Sequence, residues 1–419
     1  MLKKITVEQV RLGMYIQKLD VSWMDNPFWK NTFLLDNPKD LQTILSTRLK
    51  FIWIDTSKGL DTEDQALPVE GGMAQESVTE SVDTTLALAD MPFKAIQRQD
   101  AAQEAARASV ICAKSKQAVT SMFGEARMGK ALNTDEALPI VEEISASVMR
   151  NPSALISLAR LKDKDNYTYM HSVAVCALMV SLARQLGLED GQIHQAGLAG
   201  LLHDVGKMMI PPEILNKPGK LTDIEFNIVK NHPSEGHQLL LKGIGISDIV
   251  RDVCLHHHEK MDGSGYPEQL ADDQISLYAK MSAICDVYDA ITSNRPYKNG
   301  WEPAEAIRKM AEWSKSHFDQ RIFQAFVRSI GIYPTGSLVR LASLKLAVVV
   351  EQSEKSLLMP RVKIFFSTKS NGRITAEWLD LAQTNCKDKI VSFEDPVKWG
   401  IHDIQELWSG VPVITRTAS

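Results

Sequence analysis

Cysteine is scarce and unpatterned in this chain. The five residues among 419, Cys112, Cys176, Cys254, Cys285 and Cys386, are odd in number and contain no CxxC pair. That excludes a disulfide framework and fits free thiols in a reducing cytoplasm. Long apolar runs are also missing. The longest, from Val173 to Val180, falls far short of the ~20 residues that cross a bilayer, so no membrane insertion is expected. No apolar segment follows the opening Met1-Leu2-Lys3-Lys4-Ile5, so no secretory leader is read there. A surplus of positive charge is absent as well: 47 Lys and Arg stand against 52 Asp and Glu. This argues against a nucleic-acid polymer as partner, while a local basic pocket for a small phosphorylated ligand remains open. Internal repeats and heptads are not seen. What is present is ordinary globular composition, 44% hydrophobic and 24% charged, over a length that suggests two to four domains.

Residues 1–58 read as a small α/β module of regulatory type. Val7, Val10, Leu12 and Met14 alternate, Leu41 to Leu49 is a helix candidate, and Phe51-Ile52-Trp53-Ile54-Asp55 is a strand candidate. Residues 59–94 read as an acidic flexible linker. Between Asp61 and Asp90 there are eight acidic residues and no Lys or Arg, with Pro68, Gly71 and Gly72 as breakers. Residues 95–149 are Ala-rich with helical periodicity and form a helical connector. Residues 150–335 are helical nearly throughout. Within them Thr222-Asp223-Ile224-Glu225 has the form of a capping box, starting a helix that runs to His232 and the restricting Pro233. Gly187 and Gly206 are natural helix stops. Residues 336–419 form a short β-rich extension, with strands around Val339–Leu346, Val348–Val350, Val362–Phe366 and Val411–Ile414. The expected fold class is therefore mainly α.

The chemistry concentrates in histidine and carboxylate. Half of the ten histidines join a candidate ligand set: His171, His203 beside Asp204, His232, His257 beside His258, and Asp286. Imidazole with carboxylate and no thiolate suits divalent iron, manganese, zinc or nickel and disfavours a zinc finger. Neighbours on a helix point about 100° apart. Adjacent His-Asp and His-His pairs therefore fit poorly around one ion, and better where two ions are served or where the helix is ending. A carboxylate such as Asp204 can bridge two metals, and two metals ~3.5–4 Å apart are a common device for phosphoester hydrolysis. His194, His237, His317 and His402 are left as ordinary core or surface residues.

The sequence His203-Asp204-Val205-Gly206-Lys207 resembles the signature of the HD phosphohydrolases. The run His257-His258-Glu259-Lys260-Met261-Asp262-Gly263-Ser264-Gly265-Tyr266-Pro267 matches the HHExxDGxGYP signature of the HD-GYP family without a gap. Tyr167 to Ser172 looks like the opening helix of that family. Asp286-Val287-Tyr288-Asp289-Ala290, followed by Arg295-Pro296-Tyr297-Lys298, looks like its closing motif. Residues 1–58 resemble a domain of unknown function that often precedes it.

The resemblance implies an all-helical HD-type catalytic domain that hydrolyses cyclic di-GMP to pGpG, and further to GMP, by a hydroxide that two metals activate. It implies His171, His203 and Asp286 on one ion, His232, His257 and His258 on the other, and Asp204 on both. Iron or manganese are the expected metals, with zinc or nickel next. Lys207, Arg295 and Lys298 are implied as phosphate contacts, and Lys207 with Asp204 as catalytic. Some members hold a third ion through a Glu four residues before the opening histidine. Here Tyr167 stands at that place, so two ions are expected. Asp165, six residues before His171, would reach the site only if the helix began after it. Gly265, Tyr266 and Pro267 are implied as a partner loop for diguanylate cyclase domains, with Tyr266 as an exposed anchor. Two other readings stay beside this one: a metal-containing cyclic di-GMP sensor with slow turnover, and an HD hydrolase of another cyclic dinucleotide.

Overall fold

The computed structural model describes residues 2–19, 33–45, 51–61, 101–159, 167–217, 219, 221–293, 300–314, 316–353 and 356–410. The acidic stretch 62–90, Asp165, Arg295, Lys298 and the strand expected at Val411–Ile414 lie outside them. By contacts, the chain divides into Met1–Glu80 and Ser81–Ser419.

The first unit is a four-stranded antiparallel sheet in the order β1-β4-β2-β3, built from Leu2–Thr6 (β1), Tyr15–Leu19 (β2), Phe33–Leu34 (β3) and Phe51–Asp55 (β4). Helix Pro38–Leu45 (α1) precedes β4 in the chain. Alternation in β1 and β4 places Ile5, Ile52 and Ile54 on one face, where they bury with Val7, Val10, Met14, Ile16, Leu35 and Ile44. Ile5 lies directly opposite Ile52 in the ladder, the kind of β-branched pair that fixes register.

The second unit is mainly α, as the periodicity predicts. Its helices are Ala101–Arg127 (α2), Thr134–Arg150 (α3), Pro152–Ala159 (α4), Tyr167–Gln185 (α5), Asp190–Leu202 (α6), Pro212–Leu215 (α7), Asp223–Lys230 (α8), His232–Leu241 (α9), Asp248–His256 (α10), Leu277–Thr292 (α11), Pro303–Trp313 (α12) and Gln320–Ile330 (α13). Helix α5 is the central staff: Val173 to Val180 are all buried, and α5 packs on α6 and α11. The longest apolar run of the sequence is thus a core helix, and no described helix is long and apolar enough to cross a membrane. The Ala-rich helix α2 packs against α3, α4 and α5. Its buried Glu104 is held by Ser147 Oγ at 2.8 Å and by Arg150 Nε at 2.7 Å, so the carboxylate enters the core already paired.

One helix differs from the expectation. The capping box does start α8, with Thr222 Oγ1 accepting from Glu225 N and Glu225 Oε2 accepting from Thr222 N. The chain then turns at Asn231 and starts afresh as α9, with Pro233 in its first turn. A proline there restricts the preceding helix yet fits the opening of the next, where an N–H has no partner to lose.

The β-rich tail is larger and less separate than the sequence suggests. Leu338–Leu341 (β5), Lys345–Glu351 (β6), Arg361–Ser367 (β7), Gly372–Asp380 (β8) and Ile390–Phe393 (β9) form an antiparallel sheet in the order β8-β7-β6-β5-β9. One face buries Val339, Leu341, Val349 and Ile364 in a small core of its own. The other sends Leu338, Leu346, Val348 and Phe366 into the helical core, together with Trp408 from the short helix Ile404–Ser409 (α14). The sheet is a wall of the helical domain, not an appendage to it.

Helices α10 and α11 are tied at one point. Ser276 Oγ caps α11 by accepting from Ala279 N at 3.1 Å and donates to Asp252 Oδ2 on α10. Ser276→Ala removes both bonds and is expected to lower the unfolding free energy by about 1–2 kcal/mol. Guanidinium denaturation reads this directly, and an unchanged midpoint would show that solvent replaces the serine.

Candidate metal centre

Seven side chains converge from five elements. His171 lies in the second turn of α5 and Asp286 on α11. The other ligands sit at helix ends. His203 follows the last residue of α6, His232 opens α9 just after α8 closes, and His257 follows the last residue of α10. A helix end leaves its last carbonyls without partners. Here ring nitrogens take them up: His203 Nδ1 donates to Gly200 O at 2.8 Å, His232 Nδ1 to Val229 O at 2.7 Å, and His257 Nδ1 to Cys254 O at 3.0 Å. A carbonyl can only accept, so each Nδ1 carries the proton and each Nε2 presents its lone pair inward. His171 reaches the same state through a side chain, since its Nδ1 lies 2.6 Å from Oδ2 of the buried Asp289.

The inward atoms form two groups around Asp204. His171, His203 and Asp286 offer donor atoms within 4.8 Å of one another, and so do His232, His257 and His258. Asp204 divides between them. Its Oδ2 is 3.4 Å from His171 Nε2 and 3.3 Å from His203 Nε2. Its Oδ1 is 3.3 Å from His232 Nε2 and 3.7 Å from His257 Nε2. Asp286 Oδ1 closes the first group at 2.9 Å from His171 Nε2, while its Oδ2 stands 3.8 Å from His258 Nδ1.

This donor set fits divalent metal ions. His232 Nε2 and His257 Nε2 face each other at 3.2 Å, lone pair to lone pair. Among the described residues the buried His203 Nε2 and Asp204 Oδ1 have no aligned hydrogen-bond partner. Such atoms are costly in a dry interior and are satisfied by a cation. Burial, reinforced by neighbouring imidazoles, holds His257 well below the ordinary histidine range and pushes His258 down to about 3. Neutral imidazole is the ligating form. Burial raises Asp204, but the Lys207 ammonium and His203 outweigh it and hold the carboxyl well below its usual range. Asp286 is held low against burial by His171. His171 itself is lowered by burial, yet Asp286 and Asp289 prevail and raise it.

Several features were not visible in the sequence motifs. Gly206 was read as a helix stop, but its main role is contact. A Cβ there would lie 1.9 Å from His232 O and 2.5 Å from Gly236 N. The turn Val205–Met209 and helix α9 therefore touch backbone to backbone, which carries His232 up to Asp204. Glu259 is buried and accepts from Glu268 N at 2.7 Å, Gln269 N at 3.0 Å and Leu270 N at 3.1 Å. It pins the loop that follows it, and Gly265 fits only because a Cβ there would lie 2.5 Å from Glu259 Cα. Asp289, in the closing motif, orients His171.

The remaining candidates fall as follows. Lys207 Nζ bonds Asp204 Oδ2, at the edge of the cluster. His256 turns away to Asp252 and Glu268. Gly265 is buried, and Tyr266 and Pro267 are half-buried. The Tyr266 ring is not an exposed anchor, because it stacks on His258 with centroids 4.7 Å apart. Tyr167 opens α5.

Gly206→Ala should cost more than the about 1–3 kcal/mol of an ordinary overpacked core position, because backbone cannot give way as a side chain does. Gly191, in the first turn of α6, has nothing within 4 Å of an added Cβ, so Gly191→Ala should be neutral or stabilising. Parallel thermal melts check the contrast, and equal effects would remove the contact argument.

Comparison with known proteins agrees with this geometry. Residues 148–322 match the HD domain family and residues 2–137 a domain of unknown function (DUF3391). The chain is 53% identical over 412 residues to a cyclic di-GMP phosphodiesterase of Pseudomonas aeruginosa, covering 98% of this chain and 96% of that protein. It is 34% identical over 201 residues to the cyclic di-GMP phosphodiesterase response regulator RpfG of Xanthomonas campestris, covering 48% and 53%. It is 37% identical over 167 residues to a 3′3′-cGAMP-specific phosphodiesterase of Vibrio cholerae, covering 40% and 38%. With the HHExxDGxGYP run between α10 and α11 and likeness to the Pseudomonas protein along nearly the whole chain, this protein belongs to the HD-GYP family of HD-domain phosphodiesterases.

Proposed function

We propose that the chain hydrolyses cyclic di-GMP, opening one phosphodiester to release pGpG, with GMP as the further product. The observation that carries this reading is the division of Asp204: one carboxylate oxygen turns to each of two separate imidazole groups. A bridged pair of ions is the arrangement that phosphodiester hydrolysis uses. Likeness along nearly the whole chain to a protein named as a cyclic di-GMP phosphodiesterase supports the substrate.

We assign His171, His203 and Asp286 to one divalent ion, His232, His257 and His258 to a second, and Asp204 to both. Iron or manganese suits this mixture of imidazole and carboxylate, with zinc or nickel next. When bound, the ions supply Lewis acidity toward the phosphoryl oxygens and lower the pKa of water. The rest falls to the chain itself. The four Nδ1–H bonds hold the rings in one tautomer and one orientation. Lys207, tied to Asp204 and partly exposed, sets positive charge beside the phosphate undergoing cleavage. Arg295 and Lys298 are retained as phosphate contacts on their motif alone. A cyclase domain docking on the GYP loop would meet the exposed Glu268 and Gln269 rather than the Tyr266 ring. We place the reaction in the cytoplasm, a reading supported by five free thiols, four of them buried.

Turnover of cyclic di-GMP, 3′3′-cGAMP and a nucleotide monoester by metal-loaded protein, with products separated by chromatography, tests the reading. Release of pGpG is expected. Binding without turnover would instead make the chain a sensor, and cleavage of 3′3′-cGAMP alone would reassign the substrate. Elemental analysis after loading with iron or manganese should approach two ions per chain, and reproducible occupancy near three would overturn the ligand assignment. Asp204→Ala is expected to lose both metal and turnover. Near-normal activity in that variant would defeat the bridging role. Asp289→Asn keeps shape but weakens the bond that orients His171. Removing such an outer partner typically lowers metal affinity about 10–100-fold. Competition with a chelating dye measures this without relying on turnover, and an unaltered affinity would reduce Asp289 to packing.

A further inference from the structure

At the C-terminal end of α8 a lysine is held where such residues seldom stay. A helix-end lysine ordinarily extends into water, where it complements the helix dipole. Lys230 is instead half-buried. Its ammonium lies 4.9 Å from the centroid of the Tyr266 ring and 5.7 Å from that of Phe226, one turn back on the same helix. Among the described residues no carboxylate pairs with it. The Tyr266 ring that carries the ammonium also stacks on His258, which belongs to the cluster around Asp204. Lys230, Tyr266 and His258 therefore form a continuous stack, with an uncompensated cation one ring outward from the metal centre.

Two aromatic faces attract an ammonium but do not replace a counter-ion. Lys207 is already tied to the Asp204 carboxylate, whereas Lys230 has no such tie. The geometry points to Lys230 as a substrate contact: its ammonium receives the phosphate of a cyclic dinucleotide that is not being cleaved, and the Tyr266 ring stands between it and His258. This rests on the reading of the chain as a cyclic-dinucleotide hydrolase and deepens it. Lys230 then selects for substrates with two phosphates over those with one. The Tyr266 ring becomes part of the substrate wall.

Steady-state kinetics on the metal-loaded full chain test this, with cyclic di-GMP and with bis(p-nitrophenyl) phosphate, which has one diester and no second phosphate. In Lys230→Gln, the ratio of kcat/KM for cyclic di-GMP to that for bis(p-nitrophenyl) phosphate should fall about 10-fold, chiefly through KM, as expected for loss of one charge-assisted contact. Lys230→Arg should restore most of the ratio, and added salt should narrow the gap between wild type and Lys230→Gln. Metal content should match the wild type. Lys230→Met keeps the apolar stem over both rings and serves if the glutamine disturbs the fold. If both substrates lose equally, Lys230 is a packing residue and the inference fails while the functional reading stands. If the wild type cleaves bis(p-nitrophenyl) phosphate but no cyclic dinucleotide, the functional reading fails and this inference falls with it.

Discussion

The centre depends on one interaction used three times: an imidazole Nδ1–H donated to a carbonyl at the end of the helix that precedes it. Helices α6, α8 and α10 each finish this way. The bond uses a carbonyl near a helix end, where regular helical partners run out. It also fixes the tautomer and turns the ring. The same geometry brings three helix C-termini toward one point, and each carries partial negative charge. Local backbone chemistry and long-range field thus favour the same occupant, a cation. His171 breaks the pattern because it lies within a helix, where the carbonyls are already bonded. It therefore needs the Asp289 carboxylate as acceptor.

Ligands at helix ends also resolve the problem of adjacent ligand pairs. His203 keeps helical backbone angles, but Asp204 departs from them. Its carboxylate can then lie between two imidazole groups instead of pointing about 100° away. The approach of His232 is a separate matter, governed by backbone at Gly206 and Gly236. Ligands 28 and 29 residues apart along the chain meet because two segments touch without any Cβ between them. An ion that binds such a cluster only in the folded chain adds its binding free energy to folding.

Much of this was legible in the sequence, for identifiable reasons. Helix periodicity and the Thr222 capping box are local signals, and the helical domain obeys them. The candidate ligand set rested on signature residues, and the structure brings all seven side chains together. Asp289 and Glu259 were not assigned, because their roles lie in partners outside any helical or strand period: Asp289 meets His171, 118 residues away, and Glu259 meets backbone N–H groups of the loop at positions 268 to 270. No periodicity encodes such pairings. Strand β8 was missed for another reason. Its residues are largely exposed, so the apolar alternation that marks a strand is diluted at this sheet edge. Gly206 was legible as a glycine and illegible as a contact.

The shared core of helices and tail sheet has a consequence for the order of events during synthesis. Helix α2 packs directly against α14, and Trp408 lies in the same buried cluster as Phe123. Those two aromatic residues stand 285 positions apart in sequence (408 − 123), and every candidate metal ligand lies between them. A nascent chain that has already emitted all seven candidate ligands still lacks α14, which packs against α2. Contacts of such long sequence separation close late. Helix α14 can therefore cover this part of the interior only after every candidate ligand has been made.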